Sequence, residues 1–281
     1  MNRVKTAVIG LGCRGSLLAS IIADMEEAVI VCVCDLYEDR QADAASMIEK
    51  KSGHRPKKCT DYHEILCDPE VEAVIIAASW EAHIPIAVEC MRAGKITALE
   101  VGGAYSVDDC RRLVETYEQT RTPFMFLENC CYGKFELLST SLARRGLLGE
   151  IVYCHGAYGH DLRAEVLGGN VNRHYRLNNY LKRNCENYPT HELGPIARLL
   201  GINRGNRMCR LVSVSSRAAG LKEFSYSPRN PDPSLAGQTF AQGDIVNTLI
   251  TCEDGTTISL KLDTTLPRYY SREFTVRGSK G

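Results

Sequence analysis

The chain has 281 residues, enough for two modest domains that each hold a core. Its 34 Lys and Arg balance 34 Asp and Glu, which leaves no basic footprint for nucleic acid and no acidic tail. No apolar run approaches transmembrane length and a strand pattern begins at once, with no room for a signal peptide, so a cytoplasmic protein is expected.

Residues 4–9 read as a buried parallel strand, short, apolar and β-branched. Gly10-Leu11-Gly12-Cys13-Arg14-Gly15 follows, and residues 16–25 carry Leu17, Leu18, Ile21 and Ile22 at helical spacing. Strand, glycine turn and helix give the G-x-G-x-x-G pattern the context of a dinucleotide site. There Gly10 permits the tight turn, Gly12 lets the backbone approach a pyrophosphate, and Gly15 lets helix and strand pack closely. Free N–H groups at the helix start would face the phosphates. A second strand, residues 28–34, ends in Asp35. A carboxylate there can accept both ribose hydroxyls and would repel a 2′-phosphate, so NAD is expected over NADP.

Residues 38–51 are predicted helical, 52–58 a polar loop, 61–66 a helical turn and 71–77 another apolar strand. That strand leads to Trp80-Glu81-Ala82-His83, beyond the carboxyl end of a strand, where open α/β sheets bind ligands. A helix over 84–93 and a strand over 96–99 reach Glu100-Val101-Gly102. A helix over 106–119 and a strand over 123–127 then end at Glu128-Asn129, where the alternating rhythm stops.

The first domain is therefore placed at residues 1–128 and the second at 129–281. The second is predicted to open with a helix over 133–145 and a strand over 151–158. Residues 159–187 read as a long irregular loop. A helix over 190–200 follows, then strands over 211–216, 244–252, 256–263 and from 274 onward, with Glu253-Asp254-Gly255 as a hairpin turn. The expected fold is α/β: an N-terminal Rossmann domain, then an α/β domain with a mainly antiparallel open sheet. Such a pair commonly forms a cleft with cofactor on one wall and substrate on the other. The sequence stops at Gly278-Ser279-Lys280-Gly281, just after a strand, so the second domain is expected to be shortened. Thirteen scattered cysteines form no paired C-x-x-C set; free thiols and no metal site are expected.

Glu100 and residues 146–151 resemble the glucose–fructose oxidoreductase (Gfo/Idh/MocA) superfamily of NAD(P)-dependent enzymes, over essentially the whole chain. Typical dehydrogenases there carry Glu-Lys-Pro after the fifth strand, whereas this chain has Glu100-Val101-Gly102 and lacks the lysine. More specific phrases are Trp80-Glu81-Ala82-His83, Glu128-Asn129, Tyr158-Gly159-His160-Asp161-Leu162-Arg163, Lys182-Arg183-Asn184, Tyr188-Pro189-Thr190-His191-Glu192-Leu193-Gly194-Pro195 and Thr264-Thr265-Leu266-Pro267-Arg268-Tyr269-Tyr270-Ser271-Arg272. In that order they resemble glycoside hydrolase family 109, whose known members are NAD-dependent α-N-acetylgalactosaminidases.

The resemblance implies an NAD site lined by Gly10, Gly12, Arg14, Gly15, Asp35, Trp80, Glu81, Ala82, His83, Glu100, Val101, Asn129 and Tyr188. It implies a sugar site with Tyr158, Arg176, Tyr188, Pro189, Thr190, His191 and Tyr270. The family scheme is transient oxidation at sugar C3, elimination across C2 and C1, water addition and re-reduction, with the cofactor ending as it began. Proton transfer then falls to the protein, and His191 as general base with Tyr158 as a second acid/base group suits it. His83 and His160 are expected to be structural hydrogen-bonders. Glu192 stands where the family usually has glycine and is expected to alter the mouth of the pocket. Two alternatives compete: an NAD-dependent sugar or cyclitol dehydrogenase, and a non-catalytic NAD- or sugar-binding protein. The expected partners are a small-molecule or glycan substrate and a second copy of the chain, joined through the C-terminal sheet; no nucleic acid or membrane is expected.

Overall fold

Continuous apolar runs make the first unit, Met1–Leu127, a parallel sheet buried on both faces. In a computed structural model that describes residues 3–281, its strands are β1 (Val4–Ile9), β2 (Ala28–Cys34), β3 (Lys57–Cys59), β4 (Ala73–Ile76), β5 (Ile96–Leu99) and β6 (Phe124–Phe126). They lie in the order β3-β2-β1-β4-β5-β6 with every pairing parallel. The helices are α1 (Cys13–Ala23), α2 (Glu38–Ser52), α3 (His63–Cys67), α4 (Trp80–Arg92) and α5 (Val107–Thr120). Alternation along β1 feeds two cores. Ala7 and Ile9 join Val74, Ile76 and Val88, while Val8 joins Ile30, Val33 and Ile48. The strand order reverses between β1 and β4, so the loops after these strands open the crevice where such sheets bind nucleotides.

Strand β3 corrects the polar loop expected at residues 52–58. Its Lys57 and Lys58 are exposed because it is an edge strand, where charge rather than apolar alternation is the rule.

The second unit, Glu128–Gly281, opens with a 3-10 turn over Asn129–Tyr132 and α6 (Lys134–Arg144). Then come β7 (Ile151–Gly159), α7 (Arg163–Leu167), α8 (Gly169–Asn172), α9 (Arg176–Lys182) and α10 (Thr190–Leu199). β8 (Met208–Ser215), α11 (Gly220–Ser225), β9 (Ile245–Cys252), β10 (Thr257–Asp263) and β11 (Thr275–Gly278) complete it. The sheet order is β11-β7-β10-β9-β8; β7 and β10 run parallel and the other pairs antiparallel. Helix α10 covers one face, packing Ile196 with Cys154, Ile250, Ile258 and Leu260.

Residues 159–187 are not an irregular loop. They fold as α7, α8 and α9, each too short to display a helical period in sequence, yet Val166, Leu167, Leu177 and Tyr180 are buried. The Tyr180 hydroxyl lies 2.8 Å from Thr264 Oγ1 and ties these helices to the segment after β10.

A second anchor fixes that segment. Glu273 accepts Lys261 Nζ at 2.7 Å, Arg268 Nη2 at 3.1 Å and His155 Nε2 at 3.2 Å. Burial pushes its carboxyl up, but these three partners outweigh burial and hold it at about 2. A depressed acid contributes stability that is present above the ordinary carboxylate pKa and lost as pH falls toward 2. Glu273→Gln should therefore cost about 2 kcal/mol at pH 7 and only a small fraction of that at pH 2, measured by urea unfolding at both values.

Candidate active site

In the first unit the glycine loop fixes the geometry. Gly10 adopts φ +87°, and a Cβ there would lie 2.5 Å from the Ala78 backbone; a Cβ on Gly15 would lie 1.8 Å from the Gly10 carbonyl oxygen. Gly12 faces open space, its nearest neighbour Arg40 Nη1 at 3.8 Å. No side chain caps α1, so its first N–H groups are directed out of the loop. Asp35 accepts Leu11 N–H at 2.6 Å and Tyr37 N–H at 3.0 Å, bracing the loop from the end of β2. Arg14 Nε lies 3.2 Å from Glu100 Oε1.

Trp80 and His83 open α4 and are both buried, with Glu81 exposed and Ala82 half-buried beside them. The His83 ring nitrogens lie 3.0 Å from Ala78 O and 3.3 Å from Gly102 O. Burial lowers its pKa, and a neutral ring carries one N–H, so it donates to only one of these two carbonyls at a time. Val101 is buried, and a Cβ on Gly102 would lie 2.3 Å from Trp80 Nε1. An open glycine, uncapped helix N–H groups and a carboxylate at the end of β2 are the parts a dinucleotide requires, and these residues fit NAD.

In the second unit Tyr158, Tyr188 and His191 form one aromatic cluster. Ring centroids are 4.5 Å apart for Tyr158–Tyr188, 4.8 Å for Tyr188–His191 and 5.5 Å for Tyr158–His191. Tyr158 comes from the end of β7, while Pro189 is the N-cap of α10 and Thr190 its first residue, which sets His191 on the first turn. His191 Nδ1 lies 2.8 and 3.0 Å from the two oxygens of Glu128. Burial pushes the Glu128 carboxyl up, but the hydrogen bond and charge of His191 and the Cys130 N–H bring it below its ordinary value. Glu128 is thus an ionised acceptor that holds a proton on Nδ1, and in the neutral form of the ring the lone pair is then on Nε2.

The Tyr158 hydroxyl lies 3.1 Å from His160 Nδ1. Burial raises the Tyr158 pKa and, with the Arg176 charge, lowers that of His160. The phenol therefore donates to a neutral imidazole. Tyr270 is half exposed, with its ring 5.2 Å from His160. Arg176 is buried; it donates to Glu165 at 2.6 Å and sets its guanidinium 5.1 Å from the Tyr188 centroid. Asn129 is exposed on the turn that follows Glu128.

Three features escaped sequence reasoning. Glu128 as the partner of His191 is 63 positions away, and no spacing rule connects the two. Ligand atoms of Glu128, Cys130 and His191 lie within 4.8 Å of one another, a gathering no C-x-x-C pattern signals. Burial raises the Cys130 thiol to about 12, which keeps it protonated beside the Glu128–His191 pair. Glu192 does not reach the pocket mouth: it is buried against Gly156, whose missing Cβ leaves the space for it. All thirteen cysteines are free thiols.

Residues 132–281 match the family described as Glycosyl hydrolase 109, C-terminal domain, and residues 4–127 match Oxidoreductase family, NAD-binding Rossmann fold. A protein of Phocaeicola vulgatus named Glycosyl hydrolase family 109 protein 2 is 40% identical over 290 residues, covering 99% of this chain and 69% of its own. The chain belongs to glycosyl hydrolase family 109. Another similar protein, from Bacteroides fragilis and named Alpha-N-acetylgalactosaminidase, is 37% identical over 99% of this chain and 67% of its own. Among solved structures, the myo-inositol dehydrogenase of Lactobacillus casei in complex with NAD(H) and myo-inositol superposes with a TM-score of 0.74. It is 16% identical and the match covers 100% of this chain and 73% of that one, a likeness of fold alone. Family 109 membership accounts for the fold those dehydrogenases share and for the distinct phrases of the second unit. No helix among the described residues is long and apolar enough to cross a membrane.

Proposed function

We propose that this chain hydrolyses terminal α-N-acetylgalactosaminides or a closely related glycoside, with NAD retained through each turnover. The observation that carries the reading is the Glu128–His191 pair set against Tyr158 and Tyr188; His191 and both tyrosines lie within the residues that match the family 109 domain. The name of the Bacteroides fragilis relative supports the substrate class. Gly10, Gly12, Arg14, Gly15, Asp35, Glu100 and the Trp80–His83 turn would hold the cofactor, joined by Val101, Asn129 and Tyr188. Bound NAD supplies a reversible hydride acceptor for a hydroxyl-bearing carbon.

The chain's own residues move the protons. Once C3 is a ketone the C2 proton is acidic, and Nε2 of His191 is the base suited to take it. Glu128 holds the tautomer that leaves that nitrogen free and stabilises the imidazolium that forms. Tyr158 serves the leaving oxygen as donor by turning its one hydroxyl proton from His160 to that oxygen. Arg176, Tyr188, Pro189, Thr190 and Tyr270 orient the sugar.

We assign two further properties. Thirteen free thiols suit a reducing cytoplasm. Exposed Val212, Val214 and Leu249 share the face of the C-terminal sheet opposite α10 and suit pairing with a second copy.

The test gives purified protein an aryl α-N-acetylgalactosaminide with no added NAD, following phenol and NADH together. Multiple-turnover phenol release without NADH accumulation supports the glycosidase. NADH accumulating from free sugars plus NAD, with no phenol, would replace it with a dehydrogenase.

A further inference from the structure

Outside the His191 cluster, the most unusual chemistry in the molecule is a pair of glutamates on the inner side of the same segment. Glu192, on the first turn of α10, is 1% exposed. Its Oε2 accepts the Lys261 N–H at 3.0 Å, and its backbone and Cβ fill the space beside Gly156 of β7. Glu186 lies at the other end of the segment, where its Oε1 accepts the Tyr188 N–H at 3.4 Å. The two carboxyls are within hydrogen-bonding reach of each other. Each brings one oxygen that is closed to solvent and receives no donor: Oε2 of Glu186 and Oε1 of Glu192.

Two ionised carboxylates in that arrangement would be neighbouring acceptors, each with a buried oxygen and no donor for it, at a cost in repulsion and lost solvation. One proton removes both costs, since a protonated carboxyl donates to its neighbour. We propose that Glu186 and Glu192 share a single proton and that the resulting acid pair is a clasp that positions Tyr188 and His191. The clasp joins the two ends of a seven-residue stretch, residues 186–192, and Tyr188 and His191 fall between its jaws in sequence. One jaw is fixed to the sheet at Lys261 and Gly156, so the rings inherit their position from β7 and β10. Glu186 and Glu192 are positioning residues here; the role rests on His191 acting as the base.

Direction of titration follows from surroundings. Burial raises both carboxyls, and Glu186 raises Glu192 further. The groups that face them are N–H donors: Tyr188 from the same segment, Tyr158 from β7, Lys261 and Leu262 from β10. The Lys261 ammonium is engaged by Glu273 instead. An acid whose folded pKa is raised contributes most stability below the ordinary carboxylate value and loses it as pH rises through the raised value. Alkali should open the clasp.

The experiment uses the full chain with glutamate labelled at the side-chain carboxyl carbon, titrated by NMR from pH 5 to 10, beside Glu192→Gln. Glutamine keeps the shape and donates permanently, in place of the shared proton. In the parent protein, one carboxyl of the pair should remain protonated well above the ordinary range. The His191 ring resonances should shift with its loss, and kcat should fall about tenfold per pH unit beyond that step. In Glu192→Gln, the Glu186 carboxyl should titrate in a single step with no coupled partner, and the alkaline fall in kcat should vanish. Its melting temperature should also lose the alkaline decline that the parent shows relative to it.

Ordinary titration of both carboxyls in the parent overturns the shared proton. A raised carboxyl whose titration leaves the His191 resonances unmoved overturns the clasp. Both readouts stand without turnover, so a failed glycosidase assay with a positive titration rejects the activity and keeps the acid pair.

Discussion

His191→Asn is expected to lower kcat by about three orders of magnitude while NAD affinity stays at the parent value. Asparagine is the informative replacement because its amide nitrogen overlies the Nδ1 position. It can still donate to Glu128, which would otherwise be a buried carboxylate stripped of its partner, with a destabilisation of several kcal/mol. What asparagine lacks is Nε2. An unchanged melting temperature with kcat reduced would therefore isolate the base from the fold. Glu128→Gln separates the orienting role. An amide can present its NH2 to Nδ1, which drives the proton to Nε2 and removes the free lone pair. A loss of 10²-fold or more is expected there too, on the scale of wrong-tautomer effects. If His191→Asn retained near-full kcat, the base would have to be another group, and Tyr158 would be examined next.

Gly15→Ala should abolish NAD binding and destabilise the first unit, whereas Gly12→Ala should weaken binding by about 10–100-fold at unchanged stability. The contrast follows from space. A methyl on Gly15 would lie 1.8 Å from the Gly10 carbonyl oxygen, so α1 must move away from β1. Forced overpacking costs about 1–3 kcal/mol even where neighbours yield, and here the neighbour is backbone. A methyl on Gly12 meets nothing closer than 3.8 Å in the protein and so leaves the fold alone. It would intrude only where the pyrophosphate must approach. Calorimetric titration with NAD, paired with melting curves, distinguishes the two. Equal loss of stability in both variants would contradict this reading of the loop.

The first unit was largely legible because its chemistry is local in sequence. Strand, Gly10 to Gly15, helix and Asp35 fall within a short stretch, and burial on both faces makes each inner strand a plain apolar run. Only β3 escaped, since Lys57 and Lys58 carry an edge-strand signal that reads as loop. In the second unit, pattern reasoning marked the long strands and α10 but not α7, α8 and α9, whose apolar residues are too few per helix to establish a period. His191 and Tyr158 could be singled out as phrases, yet neither Glu128 nor His160 could be assigned as their partners, because those contacts depend on how elements pack. Glu192 was misplaced for a related reason. As a departure from the family's usual glycine it reads as altering the pocket mouth, and only the absent Cβ of Gly156 reveals the inward space.

The parallel pairing of β7 with β10 carries a consequence for how this protein is made. Tyr153 lies opposite Thr257, so that hydrogen-bonded ladder cannot close until everything between them has left the ribosome. The intervening residues include His191 and both jaws of the glutamate pair, whereas the Gly10–Asp35 region is complete within the earliest part of the chain. Pairings so distant in sequence are slow to form because loop closure precedes any gain from contact. During synthesis the nucleotide half can thus fold, and recruit its ligand, well before the sugar half has a sheet to stand on. Retarding late translation, or pulling on the nascent C-terminus, should delay the appearance of hydrolytic competence while leaving the earlier binding event on schedule.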